Sequence, residues 1–175
     1  MKWVIASDIH GNSEGCRKLM AAVEAEQADR LLLLGDLFSH GSDDADDEVA
    51  AMLNRIWEKI LCVQGNCDIV KDQDRLEFSI LQQTLLLEED GLFLAATHGA
   101  GYNESWPPPF AEMDVLLQGH THTPFCRRCR GFIAMNPGSV GRPRGGSAAG
   151  YMTYENRHFC WKTLEGECFR EYTWE

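Results

Sequence analysis

Two aspartates, one asparagine and four histidines recur in short motifs along this chain: Asp8-Ile9-His10, Gly35-Asp36, Gly65-Asn66-Cys67-Asp68, His98-Gly99 and Gly119-His120-Thr121-His122. Imidazole, carboxylate and carboxamide groups together make a mixed nitrogen and oxygen donor set without thiolate. Such a set suits divalent manganese, iron, nickel, cobalt or zinc rather than calcium. Seven donors are too many for one tetrahedral ion and fit two ions that share a bridging carboxylate. Two ions about 3.5–4 Å apart would clamp the attacking and leaving oxygens of an in-line displacement and supply hydroxide at neutral pH. Taken singly the motifs are weak, because a lone histidine is usually structural and a lone Gly-Asp is usually a turn. Their recurrence in one chain carries the weight.

Each motif closes a short apolar run: Trp3 to Ala6 before Asp8, Leu31 to Leu34 before Asp36, Ile60 to Val63 before Asn66, Leu92 to Ala96 before His98, and Val115 to Leu117 before His120. Continuous runs of this length predict strands buried on both faces of a parallel or mixed sheet. In open α/β sheets ligands bind beyond the carboxyl ends of the strands, where all of these polar residues fall. Asp8 and His10, at i and i+2, would share one side if the strand end stays extended. Between the first runs lie two helical stretches. One covers Ser13 to Asp29, with Asn12 or Ser13 as N-cap; the other is an amphipathic stripe of Val49, Met52, Leu53, Ile56, Trp57 and Ile60. The acidic leader Asp43, Asp44, Asp46, Asp47 and Glu48 reads as a solvated helix start, favoured by the macrodipole. Leu85 to Ala96 predicts a hairpin turning at Asp90-Gly91. The short segments after His122 predict an antiparallel meander forming another sheet. A single domain, residues 1–175, with two layers of sheet follows.

The composition narrows the partners. The chain of 175 residues is 44% hydrophobic and 25% charged, with 16 Lys and Arg against 27 Asp and Glu, a formal charge of −11. That surface repels nucleic-acid backbones and anionic membranes, and disfavours long polyanions more than small anions. No apolar run approaches the ~20 residues of a membrane span. Seven cysteines without framework spacing predict reduced thiols and, with no signal-peptide core, a cytoplasmic protein. Cys126-Arg-Arg-Cys129 lacks a partner pair for zinc and reads as hairpin residues. Trp3, Trp57, Trp161 and Trp174 read as packing. Trp106-Pro-Pro-Pro109-Phe110 reads either as a substrate wall beside the His98 loop or as a rigid connection into a short helix.

The five motifs together resemble the signature of the calcineurin-like metallophosphoesterase superfamily, from Asp8 to about Gly146. The compact length, Gly-Asn-Cys-Asp, Gly-His-Thr-His and Asn136-Pro137-Gly138-Ser139 resemble its small bacterial and archaeal phosphodiesterase branch, the YfcE-like family. The resemblance implies an α/β (α+β) four-layer sandwich, two mixed β-sheets flanked by helices. It implies that Asp8, His10 and His122 hold one divalent ion, that Asn66, His98 and His120 hold a second, and that Asp36 bridges them. Mn²⁺ heads the candidate metals, with Ni²⁺, Fe²⁺, Co²⁺ and Zn²⁺ behind it.

The implied reaction is hydrolysis of small phosphodiesters by hydroxide held between the ions, with Asn66, Cys67 and His98 as catalytic candidates and Asn12, His40 and Arg142 as substrate contacts. Three sites, covering four positions, depart from the superfamily pattern. Cys67 replaces a histidine that assists the leaving group, Ser39-His40 replaces an acidic residue and an arginine, and Ala100 replaces a second histidine. The general acid and the phosphate clamp stay unassigned. Loss of the imidazole at position 67 favours diesters with good leaving groups over alkyl monoesters. The competing class is a non-catalytic scaffold of the same fold, and a homodimer or higher homo-oligomer stays open in either case.

Overall fold

Successive side chains of a strand face opposite ways, and in β1 (Trp3–Ala6) both directions are apolar. Trp3 and Ile5 enter one core, while Val4 and Ala6 enter another. The computed structural model, which describes residues 1–175, places this strand within a six-stranded sheet. β1 pairs in parallel with β2 (Arg30–Leu33), and β2 in parallel with β3 (Ile60–Cys62). The crossovers between them are α1 (Ser13–Ala25) and α2 (Asp43–Asn54). Cys16, Leu19 and Val23 of α1, with Val49 and Leu53 of α2, close the first core against Val4, Ala6, Leu31 and Leu33.

A five-stranded sheet faces the other side. Its strands are β4 (Thr84–Glu89), β5 (Leu92–Thr97), β6 (Val115–Leu117), β7 (Phe125–Arg128) and β8 (Ile133–Asn136), in the order β4-β5-β6-β8-β7. β5, β6 and β8 run parallel, and β4 and β7 are antiparallel edges. The β4–β5 hairpin turns at Asp90-Gly91 with φ of 53° and 74°, the left-handed pair that a two-residue hairpin loop requires. Leu94, Leu117 and Met135 project inward and meet Ile5, Leu32 and Leu34 in the core between the sheets. Ala95, Leu116 and Ala134 project outward under Phe110 and Met113, so the connection into β6 covers this face where α1 and α2 cover the other.

The meander is a correction to the sequence reading. Its last three strands, β9 (Gly150–Glu155), β10 (His158–Thr163) and β11 (Cys168–Thr173), return to the first sheet, with β9 antiparallel to β1. Burial explains the choice: Tyr151 fills the first core while Met152 and Tyr154 fill the second, so β9 needs apolar cover on both faces.

The second helix is shorter than its apolar periodicity predicts. It stops at Asn54, a 3-10 turn spans Trp57–Lys59, and Ile60 is taken by β3. Trp57 consequently lies 46% exposed rather than packed. Asp46 corrects the acidic-leader expectation, for it is buried and accepts hydrogen bonds from the backbone N–H groups of Ser39 and His40 at 3.0 Å each. Asp43 and Asp47 pair with Arg75. Cys160 and Cys168, which the sequence reads as reduced thiols without framework spacing, face each other across β10 and β11 with Cα atoms 6.4 Å apart, a separation a disulfide can span. No helix is long and apolar enough to cross a membrane.

Candidate metal centre

The seven candidate ligands all lie just beyond the carboxyl ends of β1, β2, β3, β5 and β6. The backbone there is not extended. Asp8, His10, Asp36, His120 and His122 have φ of 57°, 50°, 56°, 64° and 60°, a left-handed conformation that non-glycine residues seldom adopt. Each such residue costs on the order of 1 kcal/mol, and such residues cluster where surrounding structure over-determines them. Here the backbone supplies the constraint. Asp8 N–H donates to Gly35 O at 3.1 Å, His10 N–H to Asp36 O at 2.9 Å, and Gly141 N–H and Ser139 Oγ donate to Asp8 O at 3.0 and 2.8 Å. Asp8 and His10 therefore share the site through tight turns, which corrects the extended i, i+2 expectation. Two glycines permit the close approach: a Cβ at Gly65 would collide with the backbone N of Asp36, and one at Gly119 would collide with Ser7 Oγ.

Each carboxylate divides its oxygens between the scaffold and the centre. Asp8 Oδ2 accepts from His120 N–H at 3.1 Å, while its buried Oδ1 has no hydrogen-bond donor. Asp36 Oδ1 accepts from Cys67 N–H at 2.8 Å, leaving Oδ2 inward. The imidazoles are divided in the same way. His98 Nδ1–H donates to Leu34 O and His122 Nδ1–H to Arg142 O, both at 2.7 Å, so each ring, once neutral, turns its Nε2 lone pair to the centre. Those atoms converge. His10 Nε2 lies 3.2 Å from His122 Nε2 and 3.7 Å from Asp8 Oδ1, and His122 Nε2 lies 3.2 Å from Asp8 Oδ1. On the other flank, His98 Nε2 lies 3.0 Å from Asn66 Oδ1. Asp36 Oδ2 stands between, 3.5 Å from His10 Nε2 and 3.4 Å from His98 Nε2. His120 adjoins the second flank, its ring centroid 5.1 Å from that of His98.

So many inward lone pairs repel one another unless positive charge lies among them, whether protons or metal ions. Burial would raise the Asp8 carboxyl, but the neighbouring His10 and His122 imidazoles hold it well below the usual carboxylate range. Burial opposes the charge of His98, and Asp36 overrides it and raises the imidazole. His122 is raised chiefly by Asp8. Burial and the neighbouring His98 lower His120. The residues fit divalent metal: an orphaned buried carboxylate oxygen, oriented imidazoles and a carboxamide oxygen form one donor set. Metal competes with the protons that the neighbouring carboxylates favour on His98 and His122. Apparent affinity therefore climbs as pH rises. Mn²⁺ at a fixed concentration, a hundredfold above its Kd at pH 8, should stabilise the chelator-stripped chain by about 2.7 kcal/mol at pH 8, and by clearly less at pH 6. Thermal unfolding with and without Mn²⁺ checks this, and a larger shift at pH 6 would refute it.

The other sequence candidates are placed differently. Cys67 Sγ falls within the group formed by His10 and Asp36, and partial burial with the adjacent Asp36 carboxylate pushes its thiol up to about 11. Asn12 is engaged by the scaffold, capping α1 through Gly15 N–H and donating to Gly141 O. His40 turns its Nε2 to buried Asp72 at 3.0 Å. Arg142 contributes its carbonyl to His122, and its side chain is exposed. The structure thus ties up the side chains of Asn12 and His40 elsewhere and gives the Arg142 side chain no partner in the centre. Asp68 went unassigned in the sequence, yet it is buried and accepts from Asp36, Leu37 and Gly65 N–H groups at 2.8 Å each. An aspartate three residues beyond a glycine, where a strand ends in a turn, was the available signal.

Known proteins share this fold. The family model for the calcineurin-like phosphoesterase superfamily domain matches residues 1–158. The chain is 38% identical over 164 residues to phosphodiesterase YfcE of Escherichia coli strain K12, covering 89% of this chain and 88% of that one. A solved structure of YfcE, described as a phosphoesterase from E. coli, superposes with a TM-score of 0.91 at 30% identity, covering 99% of each chain. Vacuolar protein sorting 29 from Cryptosporidium parvum superposes with a TM-score of 0.66 at 15% identity over 98% of this chain and 97% of that one, a likeness of fold alone. The chain belongs to the calcineurin-like phosphoesterase superfamily.

Proposed function

We propose that this chain hydrolyses small phosphodiesters with two divalent cations. Asp8, His10 and His122 would hold one, and Asn66, His98 and His120 the other, with Asp36 between them. The observation that carries this is the position of Asp36 Oδ2, approached by His10 Nε2 from one flank and by His98 Nε2 from the other at 3.5 and 3.4 Å. Mn²⁺ is the first candidate, and Ni²⁺, Fe²⁺, Co²⁺ and Zn²⁺ suit the same donors. When bound, two such ions supply Lewis acidity toward phosphoryl oxygens and lower the pKa of water toward neutrality. The chain's own contribution is orientation. Leu34 O and Arg142 O fix the tautomers of His98 and His122, and the N–H groups of His120 and Cys67 fix the two carboxylates.

The diester preference follows from position 67. A thiol held protonated up to about pH 11 cannot exchange a proton at neutral pH as an imidazole does, so leaving groups that depart without strong acid assistance are favoured. The name of the YfcE relative, a phosphodiesterase, points the same way.

The test combines metal content with turnover. Chain stripped by chelator and reloaded with Mn²⁺ should bind two equivalents and hydrolyse bis-p-nitrophenyl phosphate, and chelator should abolish release of p-nitrophenolate. Two bound equivalents without hydrolysis would move the protein to the scaffold class, and chelator-resistant hydrolysis would discard the metal centre as its engine.

A further inference from the structure

A cleft of about 440 Å³ opens beside the second flank of the metal centre, lined by Asn66 and His98 together with Gln83, Tyr102 and Trp106. Its size is that of a small-ligand site. Gly99, Ala100 and Gly101 also line it, and a Cβ added at Gly101 would meet nothing within 4 Å. That stretch is therefore bare enough to admit a flat ring.

Trp106 is 71% exposed, which is unusual for the largest apolar side chain. It is not on a slack segment. Its backbone pairs with Asn103 at 3.0 and 3.1 Å, and Asn103 Oδ1 accepts from the N–H groups of Ser105 and Trp106 while Nδ2 donates to Gly99 O. Pro107, Pro108 and Pro109 then fix the chain that follows. A rigidly presented indole with one face in a cleft loses little entropy when a ring stacks on it. The Tyr102 hydroxyl, the Gln83 amide and the Trp106 indole N–H make no hydrogen bond within the chain.

The lining contains no Lys, Arg, Asp or Glu. A second phosphate or a carboxylate would find no cation there, and the only hydrophobic residues in the lining are Ala100, Tyr102 and Trp106, aromatic surface with no aliphatic channel for an acyl chain. What fits is a flat, neutral group with hydrogen-bonding edges. We propose that the cleft binds the nucleoside arm of a phosphodiester, the base stacking on Trp106 and its edge meeting Gln83 and Tyr102. The formal charge of −11 limits this arm to mononucleotide size rather than a polynucleotide. The assignment rests on the phosphodiesterase reading above and names its substrate class.

The experiment compares two esters that share one non-aromatic leaving group, so that no leaving-group ring can occupy the cleft. These are the 2,2,2-trifluoroethyl ester of adenosine 5′-phosphate and methyl 2,2,2-trifluoroethyl phosphate, with trifluoroethanol release followed by fluorine NMR on Mn²⁺-loaded chain. Stacking on one aromatic predicts a preference of about tenfold or more in kcat/KM for the adenosine ester. Trp106→Ala should bring that ratio to within about threefold of unity, chiefly through KM. Trp57→Ala, an exposed tryptophan at the opposite ends of the strands, should leave the ratio as it is. A wild-type ratio near unity, or a preference that survives Trp106→Ala, overturns the assignment of the cleft while the phosphodiesterase stands. Hydrolysis of neither ester, nor of bis-p-nitrophenyl phosphate, overturns the hydrolase and the cleft together.

Discussion

Asp36→Asn is expected to lower turnover by on the order of 10³-fold, about 4 kcal/mol of transition-state stabilisation, while the metal-free fold survives. The substitution keeps the shape and keeps an oxygen for Cys67 N–H, the bond that orders the loop beyond β3. What it removes is the inward oxygen, 3.5 Å from His10 Nε2 and 3.4 Å from His98 Nε2. An N–H₂ group in that position turns protons toward two imidazole nitrogens and carries no charge to offset a cation. Both flanks therefore lose a donor at once, whereas loss of His10 or Asn66 would weaken one. Hydrolysis of bis-p-nitrophenyl phosphate with saturating Mn²⁺ measures the loss, and unfolding of the chelated variant measures the fold. Activity within tenfold of wild type would remove Asp36 from the centre of the chemistry. A collapsed Tm in the chelated variant would recast the residue as structural.

Asp68→Ala should be the costliest change in stability among the residues around the centre. The carboxylate is buried and accepts three backbone N–H groups, Asp36 and Gly65 on one oxygen and Leu37 on the other. Alanine leaves all three without a partner where water has little access. Unsatisfied buried donors cost about 1–3 kcal/mol each, so a loss of about 4 kcal/mol is a conservative sum. In a chain of this size that lowers Tm by roughly 10 °C. The three donors belong to the turns that carry Asp36 and Asn66, so turnover should fall as well. Calorimetry decides the point, and a Tm within about 2 °C of wild type would show that water replaces the carboxylate.

The order of strands and motifs was legible because buried strands have to be written as continuous apolar runs. Leu31 to Leu34 and Val115 to Leu117 could be little else. What was not legible is which sheet a later strand joins. β9 reads as a strand from its own residues, but its place beside β1 depends on two cores both needing cover, and that is a property of the assembled layers. The ligand types were legible from chemistry alone. The conformation bringing them together was not, since nothing in Asp8-Ile9-His10 announces two left-handed residues. They adopt it because Gly35 O, Asp36 O, Ser139 and Gly141 lock both ends of the turn from elsewhere in the chain. Asn12 and His40 read as substrate contacts for a related reason: a polar side chain near a site looks available until its partners, Gly141 O and Asp72, are seen.

The hydrogen bonds around the centre also run as a seam between the two sheets. His98 belongs to the second sheet and its Nδ1–H is anchored on Leu34 O of the first, Asp8 follows the first sheet and accepts from His120 N–H of the second, and Trp161 Nε1–H of the first donates to Asn136 O of the second at 2.7 Å. None of these bonds requires an ion. Loss of His10 and Asn66 would remove two of the proposed ligands and leave the layers stitched. Hydrolysis and architecture are thus separable by few substitutions, in one direction only: the stitching tolerates loss of the ions, whereas the ions cannot assemble without the stitching.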